Sequence, residues 1–187
     1  MADIPRLTDH FLIAMPALED PNFHRSVTLV CQHDASGAMG IVINRAADCT
    51  LGELLDQLAL PTTDEHVARM PIVSGGPVHP DRGFVLHDDP REWGSTLRLG
   101  RGLAVTTSRE ILVAMARGDG PRRALVALGY AGWTAGQLEE ELAQNSWLTV
   151  PADQAIVFDL PLDARWQAAA RSLGVDLSRL ADYAGHA

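Results

Sequence analysis

The chain has 187 residues, a hydrophobic fraction of 47% and a formal net charge of −9 from 24 acidic and 15 basic side chains. Its length fits one domain, 1–187, able to bury its own core. The acidic balance argues against a generalist nucleic-acid binder, which needs a basic face, and two cysteines, Cys31 and Cys49, are too few for a disulfide framework.

Short apolar runs dominate the first half. Phe11 to Met15 has a buried-strand pattern stopped by Pro16. Val27–Cys31 and Met39–Ile43 follow as the arms of a hairpin, separated by the turn-like HDASG of His33 to Gly37. Thr50-x-x-Glu53 matches a capping box before Leu51, Leu54, Leu55 and Leu58, which sets a helix start. Pro61 to Arg69 reads as a polar surface loop. Strands are expected at Ile72–Val73, Gly83–His87, Thr96–Leu99 and Leu103–Val105. A second capping box, Thr107-x-x-Glu110, precedes Ile111, Leu112 and Met115. Ala124–Tyr130 reads as a strand, and Thr134-x-x-Gln137 opens a helix carrying Leu138 and Leu142 that ends near Asn145, Ser146 and Trp147. Ala155–Phe158 is the last expected strand. Asp163 is placed as the cap of a fourth helix with Trp166, Ala169, Ala170 and Leu173 on one face and Gly174 at its end. Strands mixed with single helices indicate an α/β or α+β fold whose sheet is at least partly antiparallel.

The N-terminal stretch carries acids before a short apolar run and does not read as a signal peptide. The longest uncharged run, Ala124 to Leu138, is too short for a membrane span and contains three glycines. Cytoplasmic residence is the simplest expectation, with no membrane partner.

Several residues carry candidate chemistry. Cys31 and His33 stand two apart in LVCQHD. On a regular strand they share a face, and a neighbouring imidazolium would favour the thiolate; the same cysteine also continues an apolar run and reads as an inert buried thiol. Ser74-Gly75-Gly76-Pro77 reads either as an anion-binding nest or as a strand-ending turn. His87-Asp88-Asp89 has the donors for a divalent ion, or is the start of a solvated loop. Arg98, Arg101, Arg109, Arg122 and Arg123 read as phosphate contacts or as a solvated face. All 15 basic residues are arginine, which suits anion recognition but also follows from GC-rich coding. Gly129, Gly132 and Gly136 either allow close backbone approach by a ligand, with Tyr130 and Trp133 as walls, or let the strand turn into its helix. HExxH, paired CxxC, P-loop, GxGxxG and GxSxG motifs are all absent, so no metal and no cofactor is expected.

The blocks FLIAMP (11–16), GAMGIVINR (37–45), GGPV (75–78), RGFVLH (82–87), LGYAGW (128–133), GQLEEEL (136–142), NSWL (145–148) and the terminal GHA (185–187) together resemble the bacterial YqgE/AlgH family, over nearly the whole chain. Gln32 stands where that pattern leads one to expect glutamate. The resemblance implies a single domain with a bent, bifurcated mixed β-sheet and about four surrounding helices. It also implies a regulatory, transcription-linked role of undetermined biochemistry. On this basis Gly75, Gly76, Arg82, His87, Tyr130, Gly132 and Trp133 form a candidate surface for an unknown protein or small-molecule partner, with Cys31 as a candidate reactive thiol. The alternatives are an enzyme using Cys31 with His33, or His87, and a direct DNA-binding regulator. The latter lacks a helix-turn-helix with a basic recognition helix.

Overall fold

The computed structural model describes residues 6–184, with side-chain surroundings through residue 180; the GHA block at 185–187 lies outside them. In chain order the described strands are β1 (His10–Ala14), β2 (Val27–Asp34), β3 (Gly37–Val42), β4 (Ala46–Thr50), β5 (Pro71–Ser74), β6 (Val78–His87), β7 (Thr96–Gly100), β8 (Leu103–Thr106), β9 (Ala124–Thr134) and β10 (Trp147–Pro151). The helices are α1 (Leu51–Gln57), α2 (Glu65–Arg69), α3 (Arg109–Ala116), α4 (Gln137–Ala143), α5 (Gln154–Phe158), α6 (Arg165–Arg171) and α7 (Leu177–Ala184). One sheet runs β10-β1-β2-β3-β9-β6-β8-β7, with β5 branching from β9 and β4 pairing β5. This is the bent, bifurcated mixed sheet that the family resemblance implies, with more helices around it than expected.

The fork lies on one edge of β9. Val126–Leu128 pairs in parallel with Ile72–Ser74, while Ala131–Thr134 pairs antiparallel with Gly37–Gly40. Gly75 stands where the branches part. Its N–H donates to Leu128 O at 2.7 Å, and its carbonyl accepts from Val42 N–H at 2.8 Å. The chain crosses itself backbone to backbone here. A Cβ on Gly75 would come within 2.4 Å of Gly129 O, and one on Gly129 within 2.5 Å of Gly76 O. Gly129 is also left-handed, with φ +78°, a conformation open to glycine at little cost.

That left-handed residue resets the strand's alternation. Leu125 and Ala127 face one core and Val126 and Leu128 another; beyond Gly129, Tyr130 packs against the first core again. Without the flip, the two-residue period would turn Tyr130 to the opposite face.

The first core fills the concave side of the sheet. Phe11, Leu29, Ile41, Phe84, Leu86 and Leu125 meet Ile156, Val157, Trp166, Ala169, Ala170 and Leu177 from the C-terminal helices. Trp166 Nε1–H donates to Ala14 O at 2.9 Å, and the buried Arg165 guanidinium donates to Ile43 O, which fastens α6 to the strands. On the convex side α1, α2 and α3 cover Ile72, Val85 and Val126. Leu138 of α4 covers Trp133 and Trp147. Among the described residues no helix is long and apolar enough to cross a membrane.

Several local expectations change. Ala155–Phe158 is helical, because the Asp153 side chain caps Ala155 N–H at 2.9 Å and a single turn suffices to bury Ile156 and Val157. The expected loop at Pro61–Arg69 contains α2, whose first amides are capped by Asp64. Thr50 caps α1 as expected, accepting from Glu53 N–H at 3.4 Å. The second box fails: Ser108 is the N-cap residue of α3, and its hydroxyl donates to Trp93 O instead of capping. At the third, Gln137 accepts from Thr134 N–H at 3.0 Å, but Thr134 still belongs to β9. Asp163 makes no side-chain cap; a 3-10 turn, Leu162–Ala164, leads into α6. Strands β4 and β10 carry no strong strand pattern and are held by their partners.

Candidate functional site

The C-terminal helices cover the Leu86 and Leu125 end of the concave face and stop short of its other end. There an open groove of ≈ 520 Å³ remains, and none of its lining residues lies on a helix. Cys31, Gln32 and Met39 form one wall, Phe84, Val105 and Tyr130 the floor, and Ser95, Thr96, Leu97 and Thr107 the opposite wall, with Arg82 at the rim. Leu97 is 39% exposed, one of two large hydrophobic side chains so exposed among the described residues. It sits on edge strand β7, where no further strand shields it.

Aromatic contacts order the floor. The Phe84 and Tyr130 rings meet edge to face at 5.8 Å, and the Arg82 guanidinium lies 5.5 Å from the Phe84 ring centroid. Both are favourable geometries for a quadrupolar ring. Among the described residues Arg82 makes no ion pair and no side-chain hydrogen bond. The other flagged arginines are mostly occupied. Arg98 donates to Asp89 O, Pro90 O and Glu92, and Arg101 pairs with Asp9 at 3.0 Å. Arg109 donates to Leu58 O, and Arg123 pairs with Asp159 and Asp88. They tie loops together and do not form a common anion face.

Cys31 lines the groove but is not a nucleophile as placed. It is 2% exposed, and burial, aided by the Asp9 charge, pushes its thiol up to about 12. The expected pairing with His33 is undone by a bulge. Val30 pairs with Gly40 and Gln32 with Met39, so Cys31 is the extra residue. Cys31 and Gln32 therefore both reach the groove, and His33 turns to the other face. There His33 Nδ1 accepts from Leu7 N–H at 3.1 Å, and Nε2 meets Glu139 Oε1 at 2.5 Å.

His87 is also elsewhere. Three residues beyond Phe84, it faces away from the groove and is fully buried. Its Nδ1 accepts from Asp89 N–H at 3.2 Å, so Nε2 carries the proton and donates to Thr106 Oγ1 at 2.8 Å. Burial, then the charge of Arg98, holds its pKa below the ordinary value. With both nitrogens engaged, it has no lone pair for a metal or a substrate proton.

Gly75 and Gly76 are spent in the strand crossing: a Cβ on Gly76 would lie 2.2 Å from the Tyr130 backbone, which leaves no nest for a ligand. Trp133 is buried on the convex side, 5.9 Å from the Phe23 ring and 6.2 Å from Trp147, so it cannot share a pocket with Tyr130. Gly132 is exposed on the Tyr130 side, where a Cβ would sit 3.8 Å from that ring. Of the sequence candidates, the groove gathers Cys31, Arg82 and Tyr130, with Gly132 alongside. Sequence reasoning missed Met39, Phe84, Leu97 and Thr107. The two-residue spacing of Arg82 and Phe84 in RGFVLH was a usable signal for Phe84; Leu97 depends on the curl of the sheet.

Residues 11–178 match a family model described as AlgH-like. The chain is 61% identical over 181 residues to a UPF0301 protein of Xanthomonas campestris pv. campestris, covering 97% of this chain and 96% of that one. A UPF0301 protein of Xanthomonas oryzae pv. oryzae is 59% identical over the same span. The solution structure of the AlgH protein from Pseudomonas aeruginosa is similar at 51% identity and TM-score 0.80, covering 100% of this chain and 99% of that one. A Corynebacterium diphtheriae protein shares the fold at 19% identity and TM-score 0.73, with coverage of 97% and 94%.

Proposed function

The chain belongs to the AlgH-like family, and we propose that it is a non-enzymatic binding protein whose groove takes a ligand, or an apolar group of a partner, and passes occupancy to a regulatory output. The observation that carries this reading is the composition of the groove. It combines an apolar and aromatic floor, hydroxyl groups and an uncompensated guanidinium with a thiol held protonated and no histidine. A concave apolar site with a few polar groups is suited to binding, whereas nucleophilic catalysis requires an activated nucleophile beside a base. A transcription-linked role would then run through the ligand or a protein partner rather than through DNA, since the net charge is −9 and the flagged arginines are largely committed within the fold.

The test is a thermal-shift and turnover screen of the native protein against a metabolite library. A ligand present at about a hundred times its Kd should raise Tm on the order of 5–10 °C. That rise should vanish in Tyr130→Ala, and no compound should be consumed. Turnover abolished by Cys31→Ala or His87→Ala would overturn the reading in favour of an enzyme. Salt-sensitive retention on DNA at physiological ionic strength would overturn it in favour of direct DNA binding.

A further inference from the structure

Resting on the reading of the groove as a binding site, we propose that its ligand is a small organic anion. A flat apolar body would lie against Phe84, Tyr130 and Leu97, with a carboxylate or phosphate group on Arg82.

Charge placement comes first. The protein carries 24 acidic residues, yet no aspartate or glutamate lines the groove, and its one charged lining residue is Arg82. Asp81, the adjacent acid, lines the cavity on the other side of the sheet. The rim is thus locally positive on a protein of net charge −9: Arg82 has no acid partner among the described residues, and Asp9, whose charge reaches Cys31, is paired with Arg101 at 3.0 Å. Attraction for anions would be local to this rim.

Geometry comes second. The contact of Arg82 with the Phe84 ring leaves the N–H groups at the edge of the guanidinium free. That fork matches a carboxylate or phosphate in two parallel hydrogen bonds, and the guanidinium is weakly hydrated and easily desolvated. The edge-to-face pair of Phe84 and Tyr130 and the exposed Leu97 give a planar apolar body three sides to touch. The ≈ 520 Å³ volume suits one small molecule, and the concave shape is unlike the broad patch that buries about 800 Å² per partner in a stable protein interface. The protonated thiol of Cys31 adds no negative charge beneath the ligand.

The experiment is an NMR titration of the ¹⁵N-labelled chain with three probes that share a naphthyl body: 2-naphthoate, 2-naphthyl phosphate and neutral 2-naphthamide. The expected result is amide shifts at Arg82, Phe84, Leu97 and Tyr130, with at least one anion binding about ten-fold or more tightly than the amide. Whichever anion binds tighter identifies the group that Arg82 receives. Arg82→Gln should cut that preference to about three-fold or less without changing affinity for 2-naphthamide. Gln32→Glu, which adds a carboxylate at an exposed groove position, should weaken anion binding and spare the amide. Both substitutions are at exposed positions, so the spectra should keep their dispersion. Equal binding of anion and amide in the groove would overturn the anion proposal while leaving the binding-site reading intact. Failure of all three probes to shift any groove residue up to their solubility would overturn both. A preference that survives Arg82→Gln would place the anion elsewhere and overturn the proposal.

Discussion

The two faces of β9 near its C-terminal end make a controlled comparison, because each presents an aromatic side chain from the same six-residue block. Trp133 on the convex face is sealed by Phe23, Trp147 and Leu138. Tyr130 on the concave face is half-buried, touches Phe84 and opens onto the groove beside Arg82, which is unpaired among the described residues. The difference lies in what covers each face: α4 reaches over Trp133, while the C-terminal helices end before Tyr130. In the proposed reading, an aromatic motif contributes to stability where it is capped and to binding where it is left open. The comparison therefore separates the family block into a covered, architectural part and an open part that lines the groove.

The largest effect should come from the residue that resets the alternation of β9. Gly129→Val adds a side chain to a left-handed position whose Cβ already lies 2.5 Å from Gly76 O. We expect a loss of roughly 4 kcal/mol or more, read as failure to fold or a collapse of the urea midpoint. A stable variant would mean that the crossing is not tight. Trp133→Ala should cost about 3–5 kcal/mol by urea unfolding, as for a buried aromatic; a loss under about 1 kcal/mol would mean that the convex cluster does not hold that face together.

Next comes pH. Burial keeps His87 neutral in the fold, whereas the unfolded chain takes up its proton near 6.5. The unfolded state therefore binds more protons on acidification. The stability this group contributes is present above about pH 6.5 and lost as pH falls toward the folded value, with a slope of at most about 1.4 kcal/mol per pH unit. In His87→Phe that slope should be flatter as pH falls below 6.5; an unchanged slope would remove His87 from the account. The smallest expected effect is on Cys31. Iodoacetamide at pH 8 should label the half-buried Cys49 and leave Cys31 unmodified until the chain unfolds. Rapid labelling of native Cys31 would restore it as a candidate nucleophile.

The sequence revealed the fold where local chemistry decides it. The alternating and apolar runs of β1, β2, β6 and β9 and the Thr50 cap of α1 were all legible, and the ordered family blocks supplied the bent, bifurcated sheet. The misreadings have physical causes. Ala155–Phe158 is rich in strand-forming residues, but Asp153 and tertiary burial make it a helical turn. A bulge at Cys31, invisible to a two-residue period, separates it from His33. Tyr130 and Trp133 are three residues apart on one strand and so face opposite ways, while Gly129, by reversing the alternation before them, decides that Tyr130 is the one turned to the first core. Arg82 and Tyr130 were identifiable as candidates; Leu97 and Met39 reach the groove only because the sheet curls.

The most direct measurement compares Tyr130→Ala with Trp133→Phe, each tested by urea unfolding and by titration with 2-naphthoate. The proposed division of β9 into a binding and a structural face predicts that Tyr130→Ala loses most of its affinity at a stability cost of about 1–2 kcal/mol, below that of Trp133→Ala. Trp133→Phe should lose stability and bind as the parent does. Affinity lost at Trp133 and retained at Tyr130 would contradict it.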